Sequence, residues 1–164
     1  MKRIEVNELN QNVFESIGSQ WMLITAGNET ACNTMTASWG GLGVMWNKPS
    51  AFVFVRPSRY TYEFTEREDA FSLCFFEESY REALRFCGTK SGRDVDKIKH
   101  TGLTVCYEEG TPYFVEAETV LICRKRHAQA LDPACFTDET VENNYNGSDY
   151  HTMYVGEIVA VLKK

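Results

Sequence analysis

The sequence predicts a mostly β domain with a few short helices, arranged as a barrel or a sandwich, and three observations predict it. Segments rich in β-branched and aromatic residues recur along the 164 residues, seven of them long enough to be strands. Most are bounded by Gly, Pro, Asn or Asp, the residues that turn a chain. At 43% hydrophobic and 13% aromatic, the composition can fill the core of one ordinary domain, here spanning residues 1–164.

Taken in order, "WMLITAG" (21–27) is the first strand, an almost unbroken apolar run. "ACNTMTASW" (31–39) alternates, with Asn33, Met35, Ala37 and Trp39 on one face and Thr34, Thr36 and Ser38 on the other, because strand side chains repeat with period two. The hydroxyl face has two readings: a solvent-facing row of good strand formers, or a wall of hydrogen-bonding groups for a planar polar ring. Trp39-Gly40-Gly41 then opens the strand into a loop where the backbone can approach a ligand closely. "AFVFVR" (51–56) is the third strand, ended by Pro57, and "TYEFTERED" (61–69) is a helix with a hydroxyl cap and acids in its early turns. "AFSLCFF" (70–76) is the fourth strand, and "SYREALRFCG" (79–88) a helix running from a Ser cap to a C-terminal Gly. "GRDVDKIKHTG" (92–102) is a shorter helix, capped by Asp94 and stopped by Gly102. "LTVCY" (103–107), "YFVEAETVLICRKRHA" (113–128) and "HTMYVGEIVAVL" (151–162) complete the strands. Residues 132–150 form the longest stretch without periodicity, either the rim of a site or a surface excursion.

Charge narrows the function classes. With 17 basic and 23 acidic residues the net charge is −6, and no block of five or six basic residues occurs, so neither nucleic acid nor an anionic membrane surface is an expected partner. The N-terminus lacks an apolar signal region, and no run of about 18 apolar residues exists. A soluble cytoplasmic protein is expected. The six cysteines form no Cys-x-x-Cys pair and read mostly as buried thiols, while histidines 100, 127 and 151 have no metal-ligand spacing, so no zinc site is expected. Gly41-Leu42-Gly43 is followed by Trp46 where a dinucleotide fingerprint needs its third glycine, and Asn47-Lys48-Pro49 breaks the run, which excludes a Rossmann site.

One short stretch stands out chemically. In "VRPSRYTYEF" (55–64), Pro57 ends a strand and Thr61 sits where a helix begins, so unpaired amides, the helix dipole, hydroxyls, Arg56 and Arg59 converge. Such a corner suits a phosphate, with guanidinium pairing its oxygens. The alternative is local: Thr61 caps its helix and the arginines pair with Glu63 or Glu66. Lys90-Ser91-Gly92 offers another cation and hydroxyl in a turn, and His151, near Asp149, is either a hydrogen-bond partner for a ligand or a solvated strand edge.

These pieces occur in a familiar order. Through "NTMTASWGGLGVMWNKP", "FVRPSRYTYEF", "KSGRDVDKIKHTGLT" and "HTMYVGEIV", the chain resembles the flavin reductase-like, FMN-binding split-barrel family, and its flavoredoxin-like branch in particular, over nearly its whole length. The resemblance implies an FMN-binding split β-barrel, usually a homodimer with FMN near the subunit interface. It places Asn33, Thr34, Thr36 and Trp39 beside the flavin ring and ribityl chain. Arg56, Ser58, Tyr60 and Thr61 become the phosphate end, with Lys90 and Ser91 assisting. His151 matches a histidine near the flavin face of reductases in this family, although here Tyr150 separates it from Asp149.

The function so implied is that of an FMN-dependent oxidoreductase taking electrons from NAD(P)H or another donor to flavin, a small molecule or a protein acceptor. Hydride transfer to a flavin needs stacking and distance more than a dedicated acid or base, so the missing triad is no objection. The rival is a non-catalytic flavin-binding protein or electron carrier on the same barrel, since fold alone does not settle function. The sequence carries no separate NAD(P)H fingerprint to divide them.

Overall fold

Ten strands and three short α-helices follow one another in a computed structural model that describes residues Met1–Lys164. The strands are β1 (Lys2–Ile4), β2 (Met22–Gly27), β3 (Cys32–Ala37), β4 (Gly40–Met45), β5 (Lys48–Val55), β6 (Ala70–Phe75), β7 (Val105–Glu108), β8 (Thr111–Phe114), β9 (Thr119–Ala130) and β10 (Thr152–Lys163). The helices are α1 (Tyr60–Arg67), α2 (Arg81–Thr89) and α3 (Lys97–Thr101).

Eight strands form one antiparallel sheet in the order β3-β2-β6-β9-β10-β5-β4, with β1 added beside the end of β10, and β7 and β8 form a separate hairpin. β3 and β4 lie at opposite edges of the sheet, yet only Ser38 and Trp39 join them. The three Cα steps from Ala37 to Gly40 reach at most about 11 Å. The sheet must therefore curl until its two edges stand close, with no ladder between them. That is the split of the expected split barrel, an antiparallel sheet that curls without closing.

Both faces of the sheet are covered. Met22, Ile24 and Ala26 of β2 join Val53, Phe71, Leu121 and Tyr154 in the larger apolar cluster, whereas Leu23 joins Leu84, Cys87, Phe114 and Ile122 in a second one involving α2 and β8. This two-sided burial is why β2 reads as a continuous apolar run instead of alternating. At Gly156 the β9–β10 register shifts, and a Cβ there would sit 2.7 Å from Phe71 Cζ, so glycine is what lets β10 pass that ring.

Several expectations change. The segment after Trp39 is not a loop but the edge strand β4, turned into β5 by Trp46 and Asn47, both at positive φ as a tight two-residue hairpin requires. The strand expected over 113–128 is two strands, broken at residues 115–118. α1 begins one residue before Thr61 with Arg59 at the N-cap position and no side-chain cap of its own. α2 starts after a short turn that contains Ser79, and it continues one residue past Gly88. α3 is capped by Asp96, which accepts from the Lys99 N–H, instead of Asp94, while Gly102 ends it at φ 71° as expected. Cys74, Cys87 and Cys123 are buried, but Cys32 and Cys106 are half-buried and Cys135 is exposed. The 132–150 segment holds two short 3-10 turns, Pro133–Cys135 and Glu139–Asn144.

Candidate functional site

The split creates the site. β10 pairs with β5 so that Thr152 lies opposite Val55, which carries the next pair outward, His151 and Arg56, to the same end of the sheet. Phe54 and Arg56 share a face by the period of two, and the end of β3 with the link beyond it brings Thr36 and Trp39 nearby. With Arg59 these residues line a cleft of about 270 Å³. Its upper wall is aromatic: the His151 ring lies 4.9 Å from Trp39 and edge-on to Phe54 at 6.4 Å.

His151 is buried, and its Nδ1 is 3.0 Å from the Tyr145 hydroxyl. Burial, and then the neighbouring Arg56 charge, push its pKa down to about 4, with Asp149 opposing weakly. The ring is therefore neutral at neutral pH. If Tyr145 donates to Nδ1, Nε2–H is a donor; the other tautomer makes Nε2 an acceptor.

The Arg56–Ser58 corner is cationic and already holds an anion, the carboxylate of Asp149. The Ser58 N–H donates to Asp149 Oδ1 at 2.9 Å, and the Ser58 hydroxyl donates to Oδ2 at 2.6 Å. Arg56 Nη1 lies 3.8 Å from the same carboxylate, its Nη2 donates to the Asn144 carbonyl at 2.7 Å, and its guanidinium covers the Tyr145 ring at 5.0 Å. Arg59 turns the other way and donates to the Gly88 carbonyl at 2.8 Å, its pKa lowered by burial and by Arg56. Neither arginine pairs with Glu63 or Glu66: Glu63 is taken by Arg93, and Glu66 accepts from the Tyr154 hydroxyl.

The remaining candidates cluster around the first turn of α1. With its amide oxygen turned toward Thr61, Asn33 accepts from the Thr61 N–H at 3.2 Å and its hydroxyl at 2.7 Å, so β3 supplies the cap that α1 lacks. Gly92 brings the turn after Lys90 and Ser91 against them; a Cβ at Gly92 would meet the other terminal atom of the Asn33 amide at 2.0 Å. Ser91 Oγ accepts from the Arg93 N–H at 3.2 Å, Arg93 covers the Tyr60 ring at 4.8 Å, and Lys90 is exposed. Asn33 and Tyr60 thus line a second cleft, of about 490 Å³, together with Cys32, Gly92, Arg93 and Lys97. Thr34 and Thr36 spend their hydroxyls on the protein: Thr34 with Thr25 at 2.9 Å, Thr36 on the Leu84 carbonyl.

Sequence reasoning missed four participants. Tyr145 and Asp149 come from the aperiodic 132–150 segment, and Phe54 comes from β5, where only its place on a strand marks it. Lys97 is the fourth: its buried Nζ donates to the Thr34 and Cys87 carbonyls, each at 2.8 Å, and burial lowers its pKa to about 8. A lysine one position past a cap residue gives no hint of burial. No group of three His, Cys, Asp or Glu side chains comes together to hold a metal.

Comparison with known proteins agrees with this architecture. The flavoredoxin of Methanosarcina acetivorans superposes with a TM-score of 0.72 at 26% identity, covering 98% of this chain and 76% of its own. An FMN-binding protein of Thermus thermophilus gives 0.71 at 19% identity, with 99% and 80% covered. An NADH:FAD oxidoreductase of Streptomyces globisporus gives 0.65 at 19%, with 88% and 74% covered. No curated protein matches the chain. The flavin reductase like domain model matches residues 14–164, nearly the whole of the curled sheet and both clefts, and the chain therefore belongs to the flavin reductase-like domain family.

Proposed function

We propose that the protein is an FMN-binding oxidoreductase that takes electrons from NAD(P)H or another donor and passes them to flavin or to another small-molecule or protein acceptor. The observation that carries this reading is one cleft in which the aromatic wall of Trp39, Phe54 and His151 meets the guanidinium groups of Arg56 and Arg59, in a chain of this family. The donor set fits FMN: flat aromatic walls suit a planar ring, and the corner that binds the Asp149 carboxylate through an N–H, a hydroxyl and a nearby guanidinium suits a phosphomonoester. Bound FMN would supply the two-electron chemistry. This chain's residues would do the rest: Trp39 and Phe54 exclude water from the ring, Arg56 and Ser58 hold the phosphate, and Asn33, Tyr60, Thr61, Lys90 and Ser91 shape the adjoining turn. His151, neutral, orients a donor by a hydrogen bond at Nε2 and does not act as a cation.

The likeness to a flavoredoxin at 26% identity favours a second reading, an electron carrier whose FMN is reduced by a protein or small-molecule donor. One spectrum separates the two. A purified protein that is yellow and bleaches rapidly with NADH or NADPH is a reductase; a yellow protein inert to both but reduced by dithionite is a carrier or binder; a protein that takes up no FMN overturns both.

A second copy of the chain is the proposed partner. The edge strand β4 pairs with no strand on its outer side, Val44 on it is 76% exposed and Trp46 at its hairpin turn 56%, and a homodimer would cover them.

A further inference from the structure

The aperiodic 132–150 segment is fastened to the anion corner at its far end. Asp149 places both carboxylate oxygens on Ser58, one on the backbone N–H and one on the hydroxyl, while Arg56 holds the Asn144 carbonyl five residues earlier. Asp149 does so from a left-handed backbone, φ 56°, as does Asn146 at 52°. Aspartate and asparagine are the side-chain-bearing residues that adopt this conformation most readily, and it turns the chain so that the Asp149 carboxylate faces Ser58. The same segment carries Tyr145, whose ring lies under Arg56 and whose hydroxyl meets His151 Nδ1.

The donors that suit a phosphate are thus the donors that Asp149 occupies, and they cannot serve two anions at once. A phosphomonoester, with charge near −2 and three acceptor oxygens, is the stronger claimant on a guanidinium, a hydroxyl and an N–H. Between Ala130 of β9 and Thr152 of β10 the segment joins no ladder, and the Leu131 N–H bond to the His151 carbonyl is its one backbone–backbone bond outside its own turns; its other ties are the side-chain contacts at the corner and an internal cluster in which the Tyr150 hydroxyl donates to Glu142 and the rings of Phe136, Tyr145 and Tyr150 pack together. Its release would leave the barrel ladders intact.

We propose that Asp149 is an internal ligand of the Arg56–Ser58 corner, a latch that a phosphomonoester must displace, and that its release draws Tyr145 away from His151. The proposal rests on the reading of this corner as the FMN phosphate site. A latch of this kind lowers apparent affinity by the fraction of molecules in which it is open. It acts on phosphate-bearing ligands and spares those without one.

The test compares wild type, Asp149→Ala and the near-isosteric Asp149→Asn by flavin fluorescence titration and by thermal unfolding with inorganic phosphate. Removing a latch that is closed in nine molecules of ten should tighten FMN about tenfold while leaving riboflavin unchanged. Phosphate should raise the Tm of both variants more than that of wild type. FMN bound by wild type but no more tightly by either variant overturns the latch and leaves the flavin reading standing. Flavin bound by none of the three, with phosphate still favouring the variants, overturns the flavin reading and leaves the latch. No gain with FMN or phosphate overturns the latch. Hydrogen exchange on wild type alone guards against misfolded variants: FMN, and not riboflavin, should speed exchange at residues 144–149, and equal or slower exchange there overturns the proposal.

Discussion

β3 and β4 are the two free edges of one sheet, joined by two residues, and the chain treats them in opposite ways. The β3 edge is sealed from within: Asn33 caps α1, Thr36 bonds the Leu84 carbonyl of α2, and Lys97 reaches from α3 to the Thr34 carbonyl. The β4 edge carries three glycines and an exposed Val44, with an exposed Trp46 at its hairpin turn, and only the short helical segment Phe14–Ser19 packs against its start. An unpaired edge invites pairing with another chain. The sheet thus holds one edge with side-chain bonds and leaves most of the other apolar and exposed, the edge at which a second copy is proposed to pair.

The largest expected effect lies at the sealed edge. Lys97→Met keeps the apolar stem but strands the Thr34 carbonyl and leaves the Cys87 carbonyl with the long 3.4 Å bond from Arg59, which should cost about 1–3 kcal/mol, read from urea unfolding. A loss below 1 kcal/mol would mean that the edge is held by packing alone.

The pH dependence sharpens the same point. The folded pKa of Lys97, about 8, lies below the ordinary lysine value of 10.5, so between those pH values the unfolded chain carries a proton that the folded chain has shed. Stability contributed at this site therefore rises with pH across the window. Two carbonyls suit the two N–H donors of a neutral amine, and the deficit of Lys97→Met should widen from pH 8 to pH 10. A constant deficit would place the folded pKa outside the window.

The smallest effect on stability belongs to the exposed edge. Val44→Lys should leave monomer stability within about 0.5 kcal/mol, as expected of an exposed side chain. Sedimentation velocity should nevertheless show dimer giving way to monomer. A dimer equally stable in the variant would assign the interface to another surface.

What could be read in advance follows from what is local. β3, β5, β6 and β10 announce themselves because strand side chains alternate or run apolar between turn residues, and Gly102 stops α3 for reasons contained in a few residues. β4 was illegible because Gly-Gly-Leu-Gly carries little strand preference and becomes a strand only by pairing with β5. The β8–β9 break has no glycine or proline to mark it, although Glu109-Gly110, both at positive φ, signals the β7–β8 hairpin just before.

The sequence by itself determined the β class, the order of the elements and the clustering of cations and hydroxyls at residues 56–61, because composition, period and turn chemistry act over a few neighbouring residues. Tertiary structure alone decided which side chain those cations and hydroxyls face. Asp149 reaches Ser58 across 91 residues of chain, Lys97 reaches Thr34 across 63, and Asn33 caps a helix that begins 27 residues later. No local propensity encodes such meetings; they exist because the sheet curls until its split edges, and everything attached to them, share one small volume.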